Sequence, residues 1–460
     1  MRTIRIGNGA GYWGDNLDAP RELVERGELD YLTLEYLAEL TLSILAHQRA
    51  KDPAAGYVAD FPTVMQGLAP HLLRQPSLKI VTNAGGMNPA ACARQVAQRL
   101  ADVQGGAIRV AAVAGDDLFP RIDELLAAGE SFSHFDSGRS FADARPQLAS
   151  ANAYLGAEGI VAALRQGARV VITGRVADAS LTVGPAWHEF GWKSDDWTRL
   201  GGATVAGHLI ECGAQVTGGM FSAWNGAYSL VDVGYPIAEI SEDGSVVITK
   251  PAGTGGAVTV DTVAEQLVYE IGDPAHYLTP DVDADFSQVA LEPLADNRVA
   301  VRRAGGGPAP ARLKVSMAYR DGFMASGTLV VCGAGAEEKA RAAGRLILDR
   351  LEAAGIRLER THIECLGTGD SLPGIWPRPS EAMEVVLRVA AHDPSRGALE
   401  RFVREFSPLA GAGPPGVTGY TGPRVKPYPV FAYWPTTVSR QLVTPTVDTR
   451  TAAEWLAAGQ

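Results

Sequence analysis

The sequence predicts a mixed α/β protein in two parts. A doubly wound, mostly parallel sheet is expected over residues 1–235, and an α+β part with an extended C-terminal tail over residues 236–460. Three observations carry this. Short apolar runs ending near residues 7, 34, 82, 114 and 172 alternate with helical patterns, as βαβ units do. The run Val170–Ile172 hardly alternates polar with apolar residues, which suits a parallel strand covered on both faces. From about Tyr235 the texture changes, and Ile237–Ile240 and Val246–Thr249 flank Glu242-Asp243-Gly244-Ser245, a hairpin signal.

In order, Thr3–Gly7 reads as the first strand, Ala19–Gly27 as a helix and Leu29–Leu34 as the second strand. Helical patterns follow over 38–50 and 60–74, then a strand over Lys79–Thr82 and a helix over 89–102, with Pro89 suited to its first turn. Ile108–Ala114 is the fourth strand, Gly129–Ser150 a polar excursion of lid or hairpin type, and 151–166 an alanine-rich helix leading into Val170–Ile172. Helices are expected over 181–191 and 198–214, the latter with a long face of small residues. The second part gives a helix over 259–271, strands over 299–301 and 313–319 around a loop at 305–310, and a break at Arg320-Asp321-Gly322. A strand over 326–332, a helix over 336–354, a strand over 358–365 and helices around 380–391 and 396–406 complete it. The tail over 410–444, rich in glycine, proline and aromatics, reads as extended.

With 46% hydrophobic and 20% charged residues, the 460-residue chain has the composition of a globular protein with an ample core. A net charge of −11 argues against nucleic acid or an anionic membrane as partner. No run of 18 apolar residues offers a membrane span. The N-terminus enters a strand directly and carries no signal-peptide pattern. Cys92, Cys212, Cys332 and Cys365 lie far apart without CxxC spacing, so they read as reduced thiols of a cytoplasmic protein. GxSxG, HExxH and GK[ST] are all missing.

The candidate chemistry gathers at strand ends, where open α/β sheets bind ligands. Val170-Val171-Ile172 runs into Thr173-Gly174-Arg175-Val176-Ala177-Asp178-Ala179-Ser180. Arg175 offers a planar fork to a carboxylate or phosphate, and Asp178 either orients it or takes a proton. Alternatively the two tie a loop, with Asp178 capping the next helix. Asn8, Gly9 and Tyr12 follow the first strand; the GxGxxG spacing fails at Tyr12, which leaves an anion-binding turn rather than a nucleotide motif. Glu35 and Glu39 bracket Tyr36, and on a helix they would share one face for base work, or else form a solvated first turn. Asn83, Gly85, Gly86 and Asn88 precede a helix N-terminus, a place for a carboxylate, phosphate or enolate oxygen or simply a strand-to-helix turn. His208 and Glu211 share a helical face, as acid, as a packed hydrogen-bonded pair or as metal ligands, and Gln215 follows in a polar loop. No cofactor is called for, and a divalent metal at His208–Glu211 stands as the alternative.

The motifs GNGAGYWGD, DYLTLEYLAE, IVTNAGGMNP, ANAYLGAEGIVAAL, VVITGRVADASL, VAGHLIECGAQVTGG, GYPIAEI and TKPAGTGG, in this order, closely resemble the acyclic terpene utilisation (AtuA) family. The resemblance covers essentially the whole chain. It implies a catabolic protein working beside enzymes that degrade branched terpenoid acids as CoA thioesters. The expectation is therefore an enzyme acting on a small-molecule carboxylate or acyl-CoA, a hydratase or other lyase. In it Arg175 clamps the anion, Asp178 or Glu35 is the base, the Asn83–Asn88 loop holds the enolate, and His208 and Glu211 supply the acid. The alternatives are a thioester or amide hydrolase and a non-catalytic scaffold subunit. Many relatives carry a further small C-terminal α+β domain that this chain does not show. A homo-oligomer or a complex with a small α+β polypeptide is therefore expected.

Overall fold

Five runs, Thr3–Asn8, Tyr31–Leu34, Lys79–Thr82, Arg109–Ala114 and Val170–Thr173, pair as parallel strands in a computed structural model of the chain. It describes residues 2–375, 377, 381–419 and 425–458. Across the sheet the five stand in the order first, second, third, fifth, fourth. These are the five strands expected from the apolar runs, and their C-terminal ends share one edge. Antiparallel strands extend both flanks: Ile237–Ser241, Val246–Thr249, Arg298–Arg302 and Ala290–Ala295 beyond the first, and Thr446–Thr451 beyond the fourth. The protein is thus a mixed α/β molecule with a large mixed sheet.

Right-handed crossovers explain where the helices go. Steps from the first strand to the fourth all run one way, so Ala19–Arg26, Phe61–Arg74 and Pro89–Ala101 pack on one face. Leu23, Leu68, Val96 and Leu100 there meet Leu32, Ile80 and Ile172 in one continuous core. The step back from the fourth strand to the fifth sends Glu158–Arg165 to the opposite face, where Ser180–Phe190 and Trp197–Glu211 join it. Trp197–Glu211 is the helix expected to carry small residues, and its environment shows why. A Cβ on Gly201 would collide with the Gly305 carbonyl, and one on Gly207 with the backbone of Ala179. Small residues let this helix approach closely enough to bring its last turn, with His208 and Glu211, to the sheet edge.

Several expectations fail for identifiable reasons. Leu148–Ala153 is a strand, and only Glu158–Arg165 is helical, so the alanine-rich stretch read as one helix divides in two. Alanine there fills a tight space beside another strand, a tertiary effect that overrides helix propensity. Glu35–Glu39 is not helical; the helix begins at Thr41, so the proposed helical pairing of Glu35 with Glu39 is lost. Gly305–Gly307 is a short strand rather than loop. Arg312–Cys332 is one continuous strand through Arg320–Gly322, with Gly322 at φ +72°, and its pairing with Glu384–Asp393 starts at Phe323. The helix expected around 380–391 is the strand Glu384–Asp393, whose alternating burial fits one covered face; residue 380 lies outside the described residues. In the tail, Leu409–Ala412 is helical and Val417–Gly419 and Tyr428–Ser439 are strands, while 420–424 lie outside the described residues.

The compact units divide elsewhere than at residue 235. One comprises Met1–Ala318 with Tyr433–Gln460, the other Tyr319–Ala432. The hairpin at Ile237–Thr249 reads locally as the start of something new, yet its first strand pairs antiparallel with Thr3–Asn8 inside the large sheet. In the second unit Glu384–Asp393 pairs antiparallel with Arg360–Leu366 on one side and Phe323–Cys332 on the other. Helices Ala336–Ala353 and Arg396–Arg404 pack on that sheet through Ala340, Ile347, Leu399 and Phe402.

Candidate active site

At the strand ends of the large unit a cavity of about 390 Å³ opens, with Tyr12, Glu35, Arg175, Asp178, Glu211 and Gln215 among its walls. Six of the residues singled out in the sequence therefore converge. Arg175, 1% exposed, anchors it. Its guanidinium donates to the Leu37 carbonyl at 2.8 Å and to Asp178 Oδ1 at 2.6 Å, and lies 3.8 Å from Glu35 Oε1. The Tyr154 ring covers its face, with the guanidinium carbon 4.1 Å from the ring centroid. Its backbone N–H donates to Asp116 Oδ2 at 2.8 Å, a carboxylate that also accepts from Asn152 at 2.8 Å. Asp116, at the end of the fourth strand, thus fixes the turn after the fifth; burial pushes its carboxyl up to about 6 against those two hydrogen bonds.

Glu35 follows the second strand. Its Oε1 accepts from the Leu37 N–H at 2.8 Å and from the Asn83 amide, while Oε2 has no hydrogen-bond partner among the described residues. Burial first, and the neighbouring charge of Asp178 second, push this carboxyl well above its ordinary value despite Arg175. Glu211 closes the opposite wall. Its Oε1 lies 3.2 Å from His208 Nδ1, and Oε2 likewise has no partner among the described residues. Burial pushes Glu211 up to about 7 against the pull of His208, with Asp178 adding to the rise. Two buried carboxyls inclined to stay protonated thus flank an aspartate held by an arginine.

The remaining sequence candidates serve the framework. Asn8 donates to the carbonyls of Ala10, Ile210 and Glu211, tying the first strand to the end of the His208 helix. Gly9 packs against Pro20, and Gly85 against the Thr173 carbonyl; Gly86 takes φ +50° in the turn before the helix. Asn83 holds Glu35 and accepts from the Tyr36 N–H at 2.9 Å. Asn88 caps its helix and donates to the Pro53 and Ala55 carbonyls. The Thr173 hydroxyl bonds the adjacent Gly174 carbonyl, and Ser180 bonds the buried Asp281. His208 spends both ring nitrogens, one on Glu211 and one on the Gln266 carbonyl. No group of three or more His, Cys, Asp or Glu side chains among the described residues is arranged to hold a metal ion.

Sequence reasoning missed Tyr154, Lys314, Glu270 and Tyr277. Tyr154 sits in a stretch read as helix interior, which hid it, and the other three lie more than 90 residues beyond Arg175 with no local signal. They border a second cavity of about 600 Å³, whose walls include Leu278, Pro280 and Tyr433 and which shares Glu39, Asp178 and Glu270 with the first. Lys314 lies 3.2 Å from Glu39; burial pushes that carboxyl up, but Lys314, a backbone hydrogen bond and the charge of Arg175 together outweigh it and hold Glu39 at about 2.

Fold and site together define a mixed α/β protein with a carboxyl-rich, arginine-anchored cavity at the carboxyl ends of parallel strands. The family model for the acyclic terpene utilisation family protein AtuA matches residues 4–449, and the chain belongs to that family. No curated protein and no solved structure matched the chain.

Proposed function

We propose that this cavity is the active site of an acid–base enzyme of carboxylic-acid or acyl-CoA catabolism, a hydratase-type lyase acting on a branched acid or its thioester. The observation that carries the reading is one cavity holding an aspartate paired with Arg175 beside carboxyls raised by burial. Removing water across a carbon–carbon bond needs both forms at once: a base for the carbon-bound proton and an acid for the departing hydroxyl. Asp178, about one-third exposed at its side chain, is the base, and Glu211 is the acid. Arg175 faces inward and is covered by Tyr154, so in this reading it sets the field around Asp178 and Glu35 rather than clamping a substrate anion. The second cavity, with Tyr277, Leu278, Pro280 and Tyr433 in its wall, suits a branched hydrocarbon chain.

The test is a panel of branched acyl-CoAs and free acids, saturated, unsaturated and 3-hydroxylated, followed by ultraviolet absorbance and product mass. A mass change of one water is the expected result. Release of free thiol instead would identify a hydrolase. No turnover until a small partner polypeptide is added would identify a scaffold subunit.

A further inference from the structure

We propose that His208 and Glu211 work as one dyad carrying a single proton, with the Gln266 carbonyl fixing the imidazole tautomer and Glu211 presenting the proton to the cavity. The inference rests on the acid–base reading above and deepens it. Its basis is the direction of two hydrogen bonds. His208 Nε2 lies 3.0 Å from the Gln266 backbone oxygen, which only accepts, so Nε2 carries a hydrogen. His208 Nδ1 lies 3.2 Å from Glu211 Oε1. With Nε2 protonated, a bare Nδ1 facing a bare carboxylate would set two lone pairs against each other. One proton between them removes the conflict, residing on nitrogen as an ion pair or on oxygen as a neutral pair.

The surroundings hold the dyad in place. The His208 ring packs edge-on to Phe286, with centroids 5.3 Å apart, and against Tyr277 at 5.7 Å. The Gln266 side-chain amide returns a hydrogen bond to the His208 carbonyl at 3.3 Å. The charged or titratable groups facing the pair are Asp178, Glu270, Arg175, the Cys212 thiol and the Tyr277 phenol. Burial pushes the thiol up to about 12 and raises the phenol as well, so both stay neutral while the dyad titrates. Asp178 and Glu270 favour retention of the shared proton. Glu211 lines the cavity wall and His208 is buried behind it, so the carboxyl delivers and the imidazole is a positioning residue.

Nuclear magnetic resonance on protein with isotope-labelled histidine reads the tautomer and the titration directly, and His208→Gln identifies the resonance among the eight histidines. The expected wild-type signature is a hydrogen on Nε2 throughout, with proton loss above the ordinary histidine value. Glu211→Gln, which conserves shape, should lower that titration by about one unit or more. His208→Gln keeps a donor for the Gln266 carbonyl and should reduce kcat about tenfold or more with KM little changed. A bare Nε2, or a His208 titration identical in wild type and Glu211→Gln, overturns the dyad. A dyad seen by resonance together with full turnover in Glu211→Gln overturns the assignment of Glu211 as the delivering group. Absence of turnover on every substrate leaves the resonance result as the deciding one, so failure of the functional reading and failure of the dyad are distinguishable.

Discussion

Residues around Arg175 show how burial, rather than residue type alone, sets chemistry. Glu35 and Glu39 are four positions apart, yet their carboxyls move in opposite directions, because Glu35 is sealed beside Asp178 and Glu39 meets Lys314. The shifts fix a pH dependence of stability. A carboxyl raised in the folded state contributes fully below its unfolded value of about 4.3 and loses that contribution as pH rises through the folded value. Glu35, Asp116 at about 6 and Glu211 at about 7 behave this way. Glu39 and Glu189, each held at about 2, contribute above the unfolded value and lose it as pH falls through the folded one. Stability should therefore peak near pH ~5 and decline on both sides. Urea midpoints at pH 3, 5 and 8 check this, and Glu211→Gln should flatten the alkaline decline. A midpoint climbing steadily from pH 5 to 8 would contradict the assignment.

At the scale of elements, the site depends on one helix end being held against one strand end. Asn8 does this with a single amide that reaches the carbonyls of Ile210 at 2.7 Å and Glu211 at 3.0 Å, while its own oxygen accepts from the Thr33 hydroxyl at 3.1 Å. Asn8→Ala removes the side-chain donor that both carbonyls share in a buried place, a loss of about 1–3 kcal/mol. Hydrogen exchange should quicken over residues 208–212 more than in the Pro89–Ala101 helix, which Asn8 does not touch. Uniform quickening across both helices would instead mean that Asn8 supports global stability alone. The residue was legible as a strand-end polar group, but its partner was not. An asparagine at a strand end reads equally well as a ligand group or as a tether, and only the approach of a helix some 200 residues later decides.

For the whole molecule, the parallel strands were legible because short runs rich in apolar residues admit few other readings when helical patterns separate them. The extent of the large unit was not. Thr446–Thr451 completes the sheet edge beside Arg109–Ala114, and no local property of a polar strand announces a partner more than 300 residues earlier. The same holds at the site: Glu35, Arg175, Asp178 and Glu211 stood out because each lies at a strand or helix end, whereas Lys314 lies near the start of a long strand with nothing local to distinguish it. The proposed chemistry moves protons on a carbon acid in this cavity. Its most direct test is solvent deuterium incorporation into the best-bound acyl-CoA of the panel, followed by mass spectrometry in heavy water. General acid–base catalysis contributes about 10²–10⁴-fold, so Asp178→Asn should slow incorporation by at least about 100-fold, while circular dichroism shows the fold intact. Incorporation at the wild-type rate in that folded variant would contradict the claim.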